Sequence, residues 1–236
     1  RYDWSERLHL LDHLPDVKAR LIDEPRIERA IAQDIPTLTI IDDAVSLKVR
    51  EQYEENPYPR WVKLKLIQKG KSVTEVCDEL ELQLPAENIK NVLAPSILIA
   101  GCGTGQHSIE AASRFVSSKV TAVDLSRASL AYSQRKTSEL GLSNIEYIQA
   151  DILQLRQLKK KFDIVESSGV LHHMDDPMSG WRVLTNLLSS GGLMKIGLYS
   201  DLARQHVVKI REEITLKGIK TSDDEIRQFR RSIMES

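Results

Sequence analysis

The stretch that most constrains this chain is Pro95-Ser96-Ile97-Leu98-Ile99-Ala100-Gly101-Cys102-Gly103-Thr104-Gly105-Gln106, an apolar run ending in glycines on alternate positions. The apolar run reads as a buried strand, and the glycines mark a tight turn. From His107 to Val116 apolar residues recur near helical spacing, so the unit is strand, glycine turn, helix. Glycine is required where backbone turns sharply and approaches a ligand, because a Cβ would obstruct that approach. The helix that follows aims its free N–H groups and positive dipole end at an anionic group. The pattern predicts a cofactor loop.

Downstream, short apolar runs alternate with helical spacing, the signature of βαβ units. Strands are predicted at Ile97–Ala100, Lys119–Asp124, Ile145–Gln149, Phe162–Glu166 and Leu193–Leu198. Right-handed crossovers then build a Rossmann-like, doubly wound parallel sheet in the order 3-2-1-4-5, with its ligand crevice at the carboxyl ends of the strands. Ahead of it, Leu8 to Asp34 reads as two or three short helices broken at Pro15 and Pro25, with Pro25 suited to a first turn. A further helix is predicted from Asp42 to Glu55, capped by Asp42 or Asp43, with Val45, Val49 and Tyr53 on one face. Trp61 to Ile67 alternates in apolarity, and Ser72 with Glu75 forms a capping box. The polar stretch Pro85 to Pro95 leads into the core. After Tyr199 the pattern is helical again, from Asp201 to Leu216 and from a second capping box at Ser222 and Glu225. The expected organisation is a helical N-terminal layer with a cap loop (1–60), a linker with a short helix (61–95), the cofactor-binding core (96–200) and a helical tail (201–236). The chain begins without Met and stops in mid-helix, so both ends are expected to be cut from a longer polypeptide.

Charge narrows the partners. Lys and Arg number 33 against 34 Asp and Glu, leaving no net field to hold nucleic acid or an anionic membrane. Cys77 and Cys102 are too few for a disulfide framework, no apolar run approaches a bilayer span, and no signal peptide opens the chain, so a cytoplasmic protein is expected. No metal site is expected.

Two carboxylates stand at strand ends. Asp124 lies 19 residues past Gly105, where a carboxylate in such folds accepts bonds from ribose hydroxyls; the competing role, capping the next helix, is open to Ser126. Asp151 could accept from an adenine amino group with Ile152 packed on the ring, or be a plain turn residue. The segment Tyr53 to Trp61 packs aromatics, prolines and an arginine into one loop, which reads as a plug anchoring the N-terminal helices or as a cap over the pocket.

Gly101-Cys102-Gly103-Thr104-Gly105, Asp124, Ala150-Asp151-Ile152, Phe162-Asp163-Ile164-Val165 and Leu188-Ser189-Ser190-Gly191-Gly192 together resemble, in order, the motifs of class I S-adenosylmethionine-dependent methyltransferases. Gly169 to Met174 resembles the segment after strand 4 in the small-molecule branch. Tyr53 to Trp61 resembles a segment found in a bacterial group often carrying tetratricopeptide repeats upstream, which implies a possible upstream repeat domain. The resemblance implies that Gly101, Cys102, Gly103, Thr104 and Gly105 contact the methionine moiety and ribose of S-adenosylmethionine, Asp124 with Leu125 the ribose, Asp151 and Ile152 the adenine, and Ser168 and Gly169 the methyl region. One position departs: the family usually has an acid two before the first glycine, where this chain has Ile99. Tyr58 and Arg60 are therefore expected to help hold the methionine end. His172 or His173 could remove the proton of an oxygen acceptor, or simply stabilise its loop. The implied reaction is in-line methyl transfer to a small-molecule or protein acceptor.

Two rivals stand beside this. A nicotinamide-dependent dehydrogenase wants its third glycine one residue later, at Gln106 here. A non-catalytic binding or scaffold module would keep the fold without turnover, and Ile99 and the lack of two final antiparallel strands favour it.

Overall fold

Five strands, β1 (Ser96–Ala100), β2 (Lys119–Asp124), β3 (Ile145–Gln149), β4 (Phe162–Ser168) and β5 (Leu188–Gly197), pair in parallel in the order β3-β2-β1-β4-β5. This is the Rossmann-like order expected. The computed structural model describes residues 13–83, 87–200, 202–220 and 222–235. Both sheet faces are covered, so the central strand β1 is a near-continuous apolar run rather than alternating. Ile97, Ile99, Val120, Ala122 and Ile164 face one core cluster, and Leu98, Ala100, Val123 and Val165 face the other.

The first cluster is closed by α6 (Gln106–Arg114) and α7 (Arg127–Glu139), which bury Ala111, Ala112, Leu130 and Ala131. The second is closed by α8 (Pro177–Leu187) through Val183, Leu184 and Leu187, with Leu155 from the 3₁₀ turn Ile152–Leu158. Residues 61–95 are more than the linker expected. Val73, Val76 and Cys77 of α4 (Val73–Glu79) join the first cluster because they share one helical face, and Ile89 of α5 (Glu87–Lys90) joins them. The Ser72 and Glu75 capping box opens α4 as predicted.

The N-terminal layer is α1 (Pro15–Lys18), a wide π turn (Ala19–Asp23), α2 (Glu24–Asp34) and α3 (Ala44–Glu55), with α2 and α3 packed on α7. Both prolines fall at the start of a helical element, as the sequence reading expected. Pro15 starts α1 and Pro25 sits in the first turn of α2, while the wide turn between them absorbs the missing N–H. Residues 8–12 of that prediction, and Pro85, lie outside the described residues. Arg135 fastens the layer: its guanidinium donates to Glu28 at 2.8 and 3.0 Å and to Glu24 at 2.9 Å, with Glu139 a further partner. Asp43 caps α3 by accepting from the Ser46 N–H at 2.8 Å.

Two strand boundaries differ from the sequence reading. Strand β4 runs on to Ser168. Strand β5 starts at Leu188, five residues early, because a register shift after Phe162 lets Ser189 to Gly192 bulge out while pairing resumes at Leu193. A Cβ on Gly192 would lie 2.7 Å from the Asp163 carbonyl oxygen, so this close approach requires glycine.

Residues from Leu198 form a second compact unit containing α9 (Gln205–Leu216) and α10 (Asp223–Met234). The start predicted at Asp201 lies outside the described residues, and α9 begins at Gln205. Ser222 caps α10 by accepting from the Glu225 N–H. Among the described residues no antiparallel strand joins the sheet, and no helix is long and apolar enough to cross a membrane.

Candidate cofactor and transfer site

The glycine turn leaves β1 with φ of 77°, 52° and 85° at Gly101, Gly103 and Gly105, a region that side chains disfavour. A Cβ on Gly101 would lie 2.3 Å from a Val170 methyl, and one on Gly105 would lie 2.6 Å from the Ser133 Cβ. Val123 fixes the turn by accepting from the Gly101 and Cys102 N–H groups at 2.8 and 3.0 Å. Gly105 then caps α6, and burial pushes the Cys102 thiol well up, leaving it an inert filler.

Asp124 ends β2 beneath this turn. One carboxylate oxygen accepts from the Gly103 N–H at 2.8 Å and the other from the Ser126 N–H at 3.0 Å. Capping of α7 falls to Ser126, whose hydroxyl accepts from the Ser129 N–H at 3.0 Å. Burial pushes the Asp124 carboxyl above its ordinary range, against the pull of the Ser126, Gly103 and Leu125 backbone N–H groups. Asp151 opens the 3₁₀ turn by accepting from the Leu153 N–H at 2.9 Å; its other oxygen, Oδ2, is buried with no hydrogen-bond partner. An orphaned buried carboxylate oxygen is costly.

These strand ends surround a cavity of about 530 Å³. Gly101, Cys102, Gly103, Thr104, Asp124, Leu125, Asp151, Ile152, Ser168 and Gly169 all line it, as does Tyr58. Gly105 does not, since its role is to turn the chain against Ser133. Arg60 does not either: both oxygens of Glu28 accept from its guanidinium at 3.0 Å, and it stacks 4.6 Å over the Tyr132 ring. The acidic N-terminal layer captures this cation before it reaches the cavity. His172 is likewise absent from the wall, while the neighbouring His173 lines it, because the short 3₁₀ turn Leu171–His173 points successive side chains in different directions.

The loop from Tyr53 to Trp61 both anchors and caps. Trp61 Nε1 donates to the Thr104 carbonyl at 2.9 Å, the Thr104 hydroxyl donates to the Pro59 carbonyl at 2.6 Å, and the Tyr132 hydroxyl donates to the Trp61 carbonyl. Ser126 donates to the Tyr53 carbonyl at 3.1 Å. These bonds lay Tyr53, Tyr58 and Pro59 along the cavity wall, beside Val45 and Val49 of α3.

Three charged groups were not foreseen. His107, on α6, and Lys195, on β5, line the cavity, and the buried Glu166 of β4 accepts from both, from His107 Nε2 at 2.5 Å and from Lys195 Nζ at 3.3 Å. His107 was visible as the second residue after the turn; the Glu166 and Lys195 pairing depends on strand register and carries no local signal.

Residues 97–192 match a family described as a methyltransferase domain. An uncharacterized protein of Synechococcus sp. is 35% identical over 52% of this chain and 30% of its own length. A malonyl-[acyl-carrier protein] O-methyltransferase of Ilyobacter polytropus is 30% identical over 51% of this chain and 42% of its own. The chain thus spans less than half the length of these relatives. Among solved structures, PKMT2 of Rickettsia typhi in complex with AdoHcy matches with a TM-score of 0.48 and 24% identity, over 58% of this chain and 27% of that one.

Proposed function

We propose that this chain, which carries a methyltransferase domain over residues 97–192, binds S-adenosylmethionine at the glycine turn and transfers its methyl group to a small-molecule or protein acceptor. The observation that carries the reading is the placement of two carboxylates, the half-buried Asp124 and the buried Asp151, at neighbouring strand ends around one cavity beside a glycine turn. The acceptor set suits a nucleoside: Asp124 can accept from ribose hydroxyls, and the unpartnered Oδ2 of Asp151 suits an amino group, with Ile152 against the base.

When bound, the cofactor supplies a sulfonium-activated methyl group for in-line displacement by the acceptor. The protein's share is orientation and exclusion of water. Gly101 and Gly103 let backbone approach closely. Ser168 and Gly169 flank the reacting end from β4. The apolar wall of Val45, Val49, Val170 and Met174 keeps water out. An oxygen acceptor, as the name of the Ilyobacter O-methyltransferase suggests, needs a base, and His173 at the wall is better placed for that role than His172.

Titration calorimetry with S-adenosylhomocysteine tests the cofactor assignment. The parent chain is expected to bind, and Asp124→Ala to bind at least about tenfold more weakly, since hydrogen bonds to a charged group contribute about 1.5 to 3 kcal/mol. Equal affinity would refute the ribose assignment, and no binding by the parent would refute the function.

A further inference from the structure

Resting on that reading, we propose that His107 and Lys195, positioned by the buried Glu166, form the subsite for the carboxylate of the cofactor's amino-acid end. The two ends of the cavity differ in chemistry. The β2 and β3 end presents the carboxylates Asp124 and Asp151, which suit hydroxyl and amino donors. The β4 and β5 end presents an imidazole and an ammonium at the wall. A nucleoside bound at the first end must lay its amino-acid substituent across the glycine turn towards the second, where the imidazole and the ammonium meet its carboxylate.

Strand register builds the cluster. Ile99, Glu166 and Lys195 are in-register partners on β1, β4 and β5, so all three side chains lie on one face of the sheet, in one row. That row is capped by the first turn of α6, from which His107 descends to Glu166. Ile99 contributes no charge, so the row's polarity comes from Glu166 and Lys195 alone. Glu166 is 3% exposed, behind the wall rather than on it, and is therefore a positioning residue. Both of its bonds fall on Oε2, which gathers His107 and Lys195 to one point. Without this anchor the Lys195 ammonium, on a flexible stem and more than half exposed, would have no fixed place.

The experiment compares two ligands by calorimetry: S-adenosylhomocysteine, which has the amino-acid end, and 5′-methylthioadenosine, which lacks it. The parent is expected to prefer the former by about tenfold or more. Lys195→Met is expected to lower affinity for S-adenosylhomocysteine by about tenfold while leaving methylthioadenosine unchanged, so that the preference collapses. Lys195→Arg should retain it. Glu166→Gln, checked for folding by thermal melting, should reduce the preference in the same direction. The proposal is overturned if Lys195→Met leaves the preference intact, or if it weakens both ligands equally, as a merely structural role would. Binding of neither ligand by the parent would overturn the function proposed above, and this subsite with it.

Discussion

Among single residues, Glu166 is the most informative, because its burial and its charge oppose each other. Burial pushes its carboxyl up, the hydrogen bond and charge of His107 and the Lys195 ammonium pull it down, and the balance lies below the ordinary value of 4.5. A carboxyl with a folded pKa below its unfolded one adds stability that is present above the unfolded value and is lost as pH falls through the folded value. Parent and Glu166→Gln should therefore differ at neutral pH, by about 1 to 3 kcal/mol for a paired buried charge, and converge as the pH drops below about 4.5. Thermal melts of both proteins from pH 7 to pH 3.5 measure this, with the titration of groups remote from Glu166 cancelling in the difference. A gap that stays constant with pH would mean Glu166 is not ionised in the fold. Asp124 illustrates how far sequence alone reaches at this scale. Its place after an apolar run, at a set distance from the glycines, was legible because both features are local. The function of Arg60 was not, since Glu28 and Tyr132, which hold it, come from distant helices.

At the scale of elements, the loop from Tyr53 to Trp61 resolves a choice that composition left open. Its aromatic and proline content is compatible with either a plug or a cap, and the structure uses different residues for the two tasks. Trp61 and Arg60 point to the body, to Thr104 and Glu28, while Tyr58 and Pro59 face the cavity. Substitutions should separate accordingly. Arg60→Ala removes two hydrogen bonds from a carboxylate that retains Arg135, so it should lower stability by about 1 to 2 kcal/mol and leave cofactor affinity within about twofold. Tyr58→Ala removes a 73% exposed ring, so stability should hold within about 0.5 kcal/mol while cofactor affinity falls several-fold. Denaturant melts and calorimetry on the two variants check this, and a loss of affinity confined to Arg60→Ala would reverse the assignment. Element boundaries were legible where caps are local, as at Asp43, Ser72 and Ser126. They were not legible at β5, where the early start depends on Gly192 packing against the Asp163 carbonyl of another strand.

Across the whole molecule, the distribution of core and cavity residues predicts which parts can be removed. Every residue of the cavity wall lies between Val45 and Lys195, and both apolar clusters are drawn from residues between Ile31 and Ile196. The strand order was readable because repeated strand–helix alternation with right-handed crossovers admits few topologies. The division at Gly197 was not, because the helical pattern after Tyr199 carries no local mark of a unit boundary. Among the described residues, α9 and α10 supply none of the buried apolar side chains, while Leu202, Leu216 and Met234 are left 79 to 87% exposed. A chain ended after Gly197 therefore keeps every residue of both apolar clusters and of the cavity wall. It should melt in one cooperative transition, and its affinity for S-adenosylhomocysteine should stay within about twofold of the parent's, a difference of roughly 0.4 kcal/mol. A broad, non-cooperative melt, or a loss of affinity beyond about fivefold, would show that residues 198–236 support the sheet in a way that burial alone does not reveal.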